Sequence, residues 1–141
     1  GLCGWTDPDN RRAYPWGRED KELIDYHKEI IRIHKDYQVL KTGSIMFLNG
    51  QYQCISYGRF DEQEQVIVAI NSSDQEQEMD IPVWRMGLVE QNRAARLMST
   101  DREGFSVETA MYTVENGQLH IKCPPVSGVI IKNFGSINRK F

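Results

Sequence analysis

The chain has 141 residues, of which 40% are hydrophobic and 26% are charged, and these proportions are typical of one globular domain. Its 17 basic and 20 acidic residues are mixed along the sequence and leave a formal net charge of −3. Because no basic stripe is present to displace counterions from phosphates, nucleic acid is not expected as a partner. The longest apolar runs, Val66–Ile70 and Val126–Ile131, are far shorter than the ~20 residues needed to cross a bilayer, so no membrane partner is expected either.

The cysteines and histidines form no recognisable disulfide or zinc pattern. There are three of each: Cys3, Cys54, Cys123, His27, His34 and His120. Their spacing predicts neither a metal site nor another cofactor, and reduced thiols favour a cytoplasmic location. The chain begins with Gly1 instead of methionine and lacks the basic and apolar regions of a secretion signal, so we expect a fragment of a longer protein.

The first 17 residues are rich in glycine, proline, aspartate and asparagine, which predicts a long loop. Asp7-Pro8 and Asp9-Asn10 favour turns because aspartate and asparagine side chains bond to nearby backbone amides. The aromatic residues of this segment are Trp5, Tyr14 and Trp16. Three large rings are unusual in a solvated linker. We therefore expect the loop to pack against another surface.

From Glu19 to Tyr37, apolar residues recur at three- and four-residue steps, which predicts an amphipathic helix. The residues on this face are Leu23, Ile24, His27, Ile30, Ile31 and His34. Acidic residues at the start and Lys35 near the end suit the helix dipole. The two histidines share the apolar face, and we interpret them as core or rim residues because no third ligand is in view.

After Thr42 the helical periodicity gives way to short β-rich runs separated by turn signals. The predicted strands are Ser44–Leu48, Tyr52–Phe60, Gln65–Ile70, Glu76–Ile81, Ala110–Val114, Gln118–Lys122 and Gly128–Lys132. Asn49-Gly50 and Asn116-Gly117 adopt positive φ at low cost, which predicts two tight hairpins. Strands without intervening helices favour an antiparallel sandwich or partly closed barrel over residues 43–134. The polar segment Met86–Gly104 is predicted to be a long surface excursion.

The opening loop carries a motif that resembles a known enzyme family. Residues 7–16 read Asp-Pro-Asp-Asn-Arg-Arg-Ala-Tyr-Pro-Trp. This stretch resembles the loop after the eighth barrel strand in the neopullulanase, cyclomaltodextrinase and maltogenic amylase group of the α-amylase family, where Asp-Pro-Asp-x-Arg-x-x-x-x-Trp is typical. In that group a helix then closes the barrel and a β-sandwich follows. Residues 35–45 continue in this order, although the family's usual proline is missing.

Later runs resemble the C-terminal domain of the same family. Residues 57–60 and 66–73 look like its paired strands, and residues 121–129 look like its last hairpin. The resemblance implies that residues 1–42 are the end of a catalytic barrel and that residues 43–141 are a C-terminal domain. We therefore expect a mainly β fold, an antiparallel β-sandwich of the amylase C-terminal type, preceded by a loop and one amphipathic helix from the end of a (β/α)8 barrel.

No catalytic residue is expected within the chain. A retaining glycosidase needs a nucleophilic carboxylate and a carboxylic acid about 5 Å apart, and in the family these groups end earlier barrel strands, which would precede Gly1. Two internal carboxylate pairs, Asp7 with Asp9 and Glu19 with Asp20, are interpreted as turn-forming and helix-capping residues. An open loop lacks the desolvation that raises the pKa of a catalytic acid.

The resemblance also implies a substrate contact. The loops after the barrel strands converge at the catalytic face, and by the resemblance Asp9 and Arg12 are candidates to bind sugar hydroxyls in the parent enzyme. A carboxylate supplies acceptors and a guanidinium supplies a rigid fork of donors. An equally favoured alternative is an Asp–Arg pair that only shapes the loop. Trp5, Trp16 and Trp84 could stack on sugar rings, but packing is the favoured role.

We expect the chain to be a non-catalytic C-terminal piece of an enzyme that hydrolyses α-glucosidic bonds in maltodextrins or related glucans, and to stabilise that parent. Its partners would be the rest of the barrel and, through the parent, the glucan. Removing the barrel would uncover the apolar helix face, which predicts self-association. One alternative is an autonomous starch-binding module with two or more aromatic rings exposed on one β face. Another is an unrelated interaction domain whose likeness to amylases is accidental.

Overall fold

Two α-helices precede nine β-strands in the residues that the computed structural model describes, 4–8 and 10–137. The helices are α1 (Lys21–Asp36) and α2 (Val39–Thr42), and a 3-10 helix spans Val83–Met86. The strands are β1 (Ser44–Gln51), β2 (Cys54–Phe60), β3 (Gln65–Asn71), β4 (Gln77–Ile81), β5 (Arg93–Asp101), β6 (Gly104–Ser106), β7 (Met111–Thr113), β8 (Leu119–Cys123) and β9 (Ser127–Asn133). No described helix is long and apolar enough to cross a membrane.

The strands form two antiparallel sheets with one core between them. The large sheet has the order β1-β2-β3-β9-β5-β6, with β7 also paired to β5, and the small sheet pairs β4 with β8. Successive side chains of a strand point to opposite faces, so each strand sends every second side chain into the core. Those that meet there include Ile67, Ala69 and Ile131 from the large sheet and Met79, Ile81, Leu119 and Ile121 from the small sheet. This arrangement confirms the predicted antiparallel sandwich.

The start of α1 is fixed by two neighbouring carboxylates. Asp20 is the N-cap, and its side chain accepts a hydrogen bond from the backbone N–H of Leu23 at 3.0 Å. Such a cap satisfies one of the backbone donors that the first helical turn leaves without a partner. The Glu19 carboxylate accepts the backbone N–H of Gly17 at 2.9 Å. The structure thus confirms that this pair shapes the helix start.

The face that α1 turns toward the large sheet is rotated from the predicted stripe. Ile33 is the buried residue of the helix, and the Tyr26 ring meets the Phe105 ring of β6 at 5.9 Å. By contrast, Ile31 of the predicted stripe is 51% exposed, and both histidines are exposed as well. The helix is apolar over a wider arc than one sheet can cover, so one flank remains open in this chain.

The prediction of a surface excursion over Met86–Gly104 was wrong. This segment contains β5, which lies between β9 and β6 inside the large sheet, and Ala94 is buried in the core. The strand carries a bulge between Arg96 and Met98, where its pairing with β9 shifts by one residue. A bulge interrupts the two-residue alternation by which a strand is recognised, and the arginines made the segment read as polar.

The first predicted hairpin forms, but its turn lies further along the chain. Asn49-Gly50 continue β1, and the turn is at Tyr52-Gln53, whose second residue has a φ of 55°. The asparagine's side-chain amide instead donates to the carbonyl oxygen of Asp80 in β4 at 3.1 Å, which joins the edges of the two sheets. The glycine lies under the Phe47 ring, where a Cβ would come within 3.2 Å of a ring carbon. These contacts explain why asparagine and glycine occur at positions 49 and 50 although they do not form a turn.

The second predicted turn forms, but the strands on either side of it do not pair with each other as the predicted hairpin required. Asn116-Gly117 have φ values of 53° and 74°, as a two-residue turn with both central residues at positive φ requires. Backbone hydrogen bonds of 3.0 Å run in both directions between Glu115 and Gln118. The strands on either side belong to different sheets, because β7 pairs with β5 and β8 pairs with β4. The turn therefore carries the chain from one sheet to the other.

A buried polar residue, Asn71, holds one end of the sandwich together. Its side-chain amide donates to the carbonyl oxygens of Gln75, Cys123 and Pro124 at 2.8, 3.2 and 2.9 Å. Its side-chain oxygen accepts the backbone N–H and the hydroxyl of Ser73 at 2.9 and 2.7 Å. Because backbone groups buried without a partner are costly, this side chain stabilises the connections after β3 and after β8.

Candidate functional site

The opening loop, which carries the predicted sugar-binding residues, is exposed where the structure describes it. Arg12 is exposed, and Asp9 lies outside the described residues, so their joint role stays a prediction. One ion pair in the described part of this loop joins the guanidinium of Arg11 to the carboxylate of Asp7 at 3.0 Å. Both side chains are largely exposed, and such a pair shapes a loop more than it stabilises a fold. The four-residue spacing of Asp7 and Arg11 was the sequence signal for this ion pair, and the prediction did not use it.

The aromatic residues of the loop pack on each other more than on the domain. The rings of Tyr14 and Trp16 meet edge to face with centroids 4.7 Å apart, yet Trp16 remains 82% exposed. Trp5 is more exposed still. The expected packing of this loop is therefore not satisfied within the chain, and the docking of Trp16 on a barrel stays a prediction.

The acidic side chains with shifted pKa values do not resemble a catalytic acid. A hydrogen bond from the Gly17 backbone lowers the pKa of Glu19, and the side chain of Arg32 lowers the pKa of Glu29. A glycosidase acid needs the opposite shift, because it must hold its proton near neutral pH. In the described part of the chain, no three histidine, cysteine, aspartate or glutamate side chains come close enough to hold a metal ion.

Two of the three histidines, His27 and His120, have local partners. His27 hydrogen-bonds through Nδ1 to the backbone oxygen of Leu23 at 2.8 Å, one turn earlier in α1. His120 points outward from β8, as its alternation with apolar neighbours predicts, and its Nδ1 lies 2.7 Å from a carboxylate oxygen of Asp80 across the small sheet. These contacts fit surface residues that stabilise a helix turn and a strand pair.

A groove of about 580 Å³ runs between α1 and the large sheet. The helix contributes Tyr26 and Ile30 to it, and the sheet contributes Tyr57, Val68 and Ile70 among others. These sheet residues lie on one face because they alternate along β2 and β3, and Tyr57 pairs directly with Val68. The groove is therefore apolar on both sides.

The apolar surface continues beyond the groove toward the β1 edge. We call the exposed apolar residues of this side the outer face: Ile45, Phe47, Ile55, Ile70 and Val126. Cross-strand pairing joins them into one surface, since Phe47 pairs with Tyr57 and Ile55 pairs with Ile70. Ile45 is 69% exposed and Phe47 is 55% exposed. Contiguous apolar residues of this kind mark a surface that contacts another body.

Val126 lies at the rim of the groove in a strained conformation. Its φ is 49°, a region that a β-branched residue rarely adopts, and such strain costs of order 1–3 kcal/mol. Its backbone N–H donates to the carbonyl oxygen of Ser73 at 2.9 Å, which holds the conformation. This conformation places the apolar side chain of Val126 on the outer face, where it is 43% exposed in this chain.

Trp84 is also largely exposed within the chain. It lies on the 3-10 helix and is 61% exposed, and it packs on one side against Gly117. Within the chain the neighbouring positions Val83 and Met86 fill the core instead of this ring, so its packing role stays a prediction.

These features describe an antiparallel β domain with an open apolar face. Residues 45–133 match the family model of the α-amylase C-terminal all-beta domain. The chain belongs to this family, which confirms the resemblance found in the sequence.

Curated relatives extend the match across most of the chain. An amylopullulanase of Thermoanaerobacterium saccharolyticum is 33% identical over 142 residues, which cover 93% of this chain and 10% of that protein. A cyclomaltodextrinase of Geobacillus thermopakistaniensis is 29% identical over 104 residues, which cover 67% of this chain and 18% of that protein. The chain thus spans a tenth or less of the amylopullulanases that it matches.

Solved structures share the fold at low sequence identity. The α-amylase of Geobacillus thermoleovorans complexed with acarbose superimposes with a TM-score of 0.80 at 19% identity, covering 96% of this chain and 28% of that chain. An Anoxybacillus α-amylase gives a TM-score of 0.78 at 23% identity, covering 97% and 27%. The likeness includes the helix and the loop before the sandwich, since it covers nearly the whole chain.

Proposed function

We propose that the chain is a non-catalytic C-terminal domain of a glycoside hydrolase that acts on α-glucosidic bonds of maltodextrins or starch-like glucans, and that it stabilises the catalytic barrel. In this proposal residues 1–42 are the last part of the barrel and residues 43–141 are the C-terminal domain. Membership of the amylase C-terminal family and the names of the amylopullulanase and cyclomaltodextrinase relatives support it. A cytoplasmic location is part of the same proposal.

The single observation that carries the proposal is the outer face. Its side chains are large and apolar, and each square ångström removed from water contributes roughly 25 cal/mol. The relatives are much longer than the part that matches this chain. In the proposal, another part of the same protein packs on the outer face. Helix α1, on which Leu23 and Ile31 are exposed, lies over the same face of the large sheet through Tyr26 and Ile30. Covering both surfaces would hold the domain and the barrel together.

The absence of catalysis in this chain has its own test. The purified chain is incubated with maltoheptaose and the release of reducing sugar is measured. We expect no release, because the described carboxyl groups with shifted pKa values are shifted downward and lie in open surroundings. Hydrolysis that persists through repeated purification would contradict the proposal.

The stabilising role is tested in the parent enzyme with a charge placed on the outer face. Phe47→Lys puts an ammonium group where the proposal requires an apolar contact, and burying such a charge without a partner is costly. We expect the parent's half-life at elevated temperature to shorten several-fold. Val107→Lys is the matched control, since Val107 is 51% exposed but is not part of the outer face.

Thermal unfolding of both variants in the 141-residue chain separates an effect on the domain from an effect on docking. The proposal expects similar melting temperatures there, because Phe47 is already exposed. Equal half-lives of the two parent variants would overturn the stabilising role.

Asp9 and Arg12 are proposed to contact a sugar from the opening loop of the parent. Arg12→Ala should then raise the KM for maltodextrin more than it lowers kcat, because it removes binding without touching the reacting atoms. The other possibility, a pair that only shapes the loop, predicts changes in stability with an unaltered KM.

An autonomous starch-binding module is less well supported. That role requires aromatic rings exposed together on one β face, as flat platforms for sugar rings. Outside the opening loop, the most exposed aromatic residues are Tyr52 and Trp84, which lie in a hairpin turn and a 3-10 helix. Phe47 lies on a β face beside Tyr57, but Tyr57 is only partly exposed and the exposed residues of that face are otherwise aliphatic.

A further inference from the structure

Trp84 is held outward by the way its short helix packs. The 3-10 helix places Val83 and Met86 in the core, where they are 0% and 1% exposed. Residues three apart lie on the same side of a 3-10 helix, so the two residues between them must point away from the core. The indole of Trp84 is therefore presented to solvent by the anchoring of its neighbours.

The backbone of Trp84 and one edge of its side chain are fixed. Its N–H donates to the carbonyl oxygen of Gly117 at 3.0 Å, and its carbonyl oxygen accepts the N–H of Gly87 at 2.9 Å. A Cβ on Gly117 would come within 3.0 Å of the Cβ and Cδ1 atoms of the tryptophan, so the ring base lies directly on the turn. A side chain held in this way loses little conformational freedom when it binds a ligand.

Polar groups surround the exposed indole. The carboxylate of Glu90 accepts the backbone N–H groups of Asn116 and Gly117 at 3.2 and 3.4 Å, which places it at the same turn. Each carboxylate oxygen keeps acceptor capacity for a further donor. The side chains of Asn116 and Gln118 are exposed beside it. The site thus joins one flat apolar ring with hydroxyl-binding groups on its border.

We propose that Trp84, together with Glu90 and Asn116, is a surface contact for an α-glucan chain. The inference rests on the proposed function for the identity of the glucan. The flat indole suits the C–H face of a pyranose ring, and the carboxylate and amides suit its hydroxyl groups. A protein partner would bury a contiguous patch with a largely apolar centre, as the outer face has, whereas the exposed residues beside Trp84, such as Arg85 and Asn116, are polar.

One stacking ring with a few hydrogen bonds gives weak binding, with a Kd in the millimolar range. Such a contact still matters for a polymer, because one weak attachment raises the local concentration of glucan for every other site on the same protein. The ligand is uncharged, so its affinity is expected to be insensitive to salt, unlike that of a charged ligand.

The test is a titration of the 141-residue chain with maltoheptaose, followed by tryptophan fluorescence. The double variant Trp5→Phe with Trp16→Phe leaves Trp84 as the remaining tryptophan, since the chain has three. We expect a saturable change in its emission in the millimolar range. In the otherwise native chain, followed by affinity electrophoresis in starch gels, Trp84→Ala should weaken binding about tenfold or more.

Trp16→Ala is the matched control, because it removes an indole that is 82% exposed in another part of the chain, and it should leave the affinity unchanged. Trp84→Phe keeps an aromatic ring and should bind with intermediate affinity, and it serves in place of Trp84→Ala if that variant does not fold. Folding of each variant is checked by circular dichroism.

Equal affinity of the Trp84→Ala and native chains, or no binding by the native chain at millimolar maltoheptaose, would overturn the inference. Either result leaves the proposed function intact, because the half-life of the Phe47→Lys parent measures docking and not glucan binding. Conversely, an unaltered half-life of the Phe47→Lys parent, together with normal glucan binding, would overturn the docking role of the outer face and leave the glucan contact in place.

Discussion

At the scale of single residues, buried polar side chains join segments that no strand ladder reaches. Asn71 satisfies backbone groups at one end of the sandwich. At the other end, the side-chain amide of Asn133 donates to the side-chain oxygen of Gln65 at 2.9 Å, and its oxygen accepts the N–H of Gly135 at 3.1 Å. Because these side chains bond to several buried groups at once, such positions tolerate little change.

Asn71→Asp is expected to destabilise the chain strongly. The substitution keeps the shape of the side chain but turns an amide that donates to three carbonyl oxygens into a carboxylate oxygen that repels them. We expect the free energy of unfolding, measured in urea, to fall by about 3 kcal/mol. Asn10→Asp, at an exposed position, is the control and should change it by about 0.5 kcal/mol or less. Similar losses in the two variants would contradict this account.

The buried thiols give a pH dependence with a definite sign. Burial, with a smaller contribution from Cys54, raises the pKa of Cys123 from 9.0 to about 11. Above pH 9 the thiol therefore ionises in the unfolded chain while it stays protonated in the folded one. Stability is unaffected by this group below pH 9 and falls between pH 9 and about 11, by up to about 2 kcal/mol.

The measurement is urea unfolding of the native chain and of Cys123→Ala from pH 8 to pH 11. The variant starts less stable because a buried side chain has been shortened. The difference between the two should then shrink as the pH rises, since only the native chain has this thiol. A constant difference over the whole range would show that the Cys123 thiol ionises equally in both states.

At the scale of elements, close approaches decide how the strands and helices fit. The ammonium of Lys132 in β9 lies 5.7 Å from the ring centre of Tyr37, at the end of α1, and 4.6 Å from that of Phe134. Such cation–π contacts fasten the end of the helix to the sheet. On the core side, β2 passes so close to the 3-10 helix that a side chain at Gly58 would overlap the sulfur of Met86.

Gly58→Ala should therefore reduce the free energy of unfolding by about 1–3 kcal/mol, because the core is overpacked. Gly128→Ala, in β9, is the matched control, since the atoms nearest to its added Cβ are 3.5 Å away or more. Met86→Ala should cost less in the Gly58→Ala chain than in the native chain, because the added methyl group takes part of the space that the methionine leaves. Chemical denaturation measures each variant, and equal losses at the two glycines would contradict the packing argument.

At the scale of the whole molecule, the chain has more apolar surface than it covers. Its large sheet turns one side to the core, while the other side is covered only in part by α1 and α2. The exposed remainder, together with the open flank of α1, resembles a protein interior more than a surface. This is the physical basis for expecting a covering body in the parent.

The same surface predicts self-association of the isolated chain. Light scattering over a concentration series should show dimers or larger species, because two copies can cover each other's apolar surface. Ile31→Lys on the helix flank and Phe47→Lys on the outer face should each shift the equilibrium toward monomer, and Val107→Lys should shift it much less. A native chain that stays monomeric at all concentrations would count against an interaction surface here.

Local sequence was sufficient for the features that depend on neighbouring residues. The loop motif at residues 7–16 identified the family, and periodicity located α1 to within two residues of each end. Asn116-Gly117 formed the expected turn, because positive φ at two successive residues is a local property. The run Val66–Ile70 formed strand β3 as predicted, with Ile70 left 40% exposed on the outer face.

Other features were decided only by the tertiary structure. Asn49-Gly50 have the composition of a turn, but distant partners, the Asp80 carbonyl and the Phe47 ring, keep them in a strand. The bulge in β5, the side of α1 that meets the sheet and the outward position of Trp84 likewise depend on contacts between residues far apart in sequence. Composition and periodicity record what each segment prefers by itself, whereas the choice among these preferences is made by the packing partners that the fold brings together.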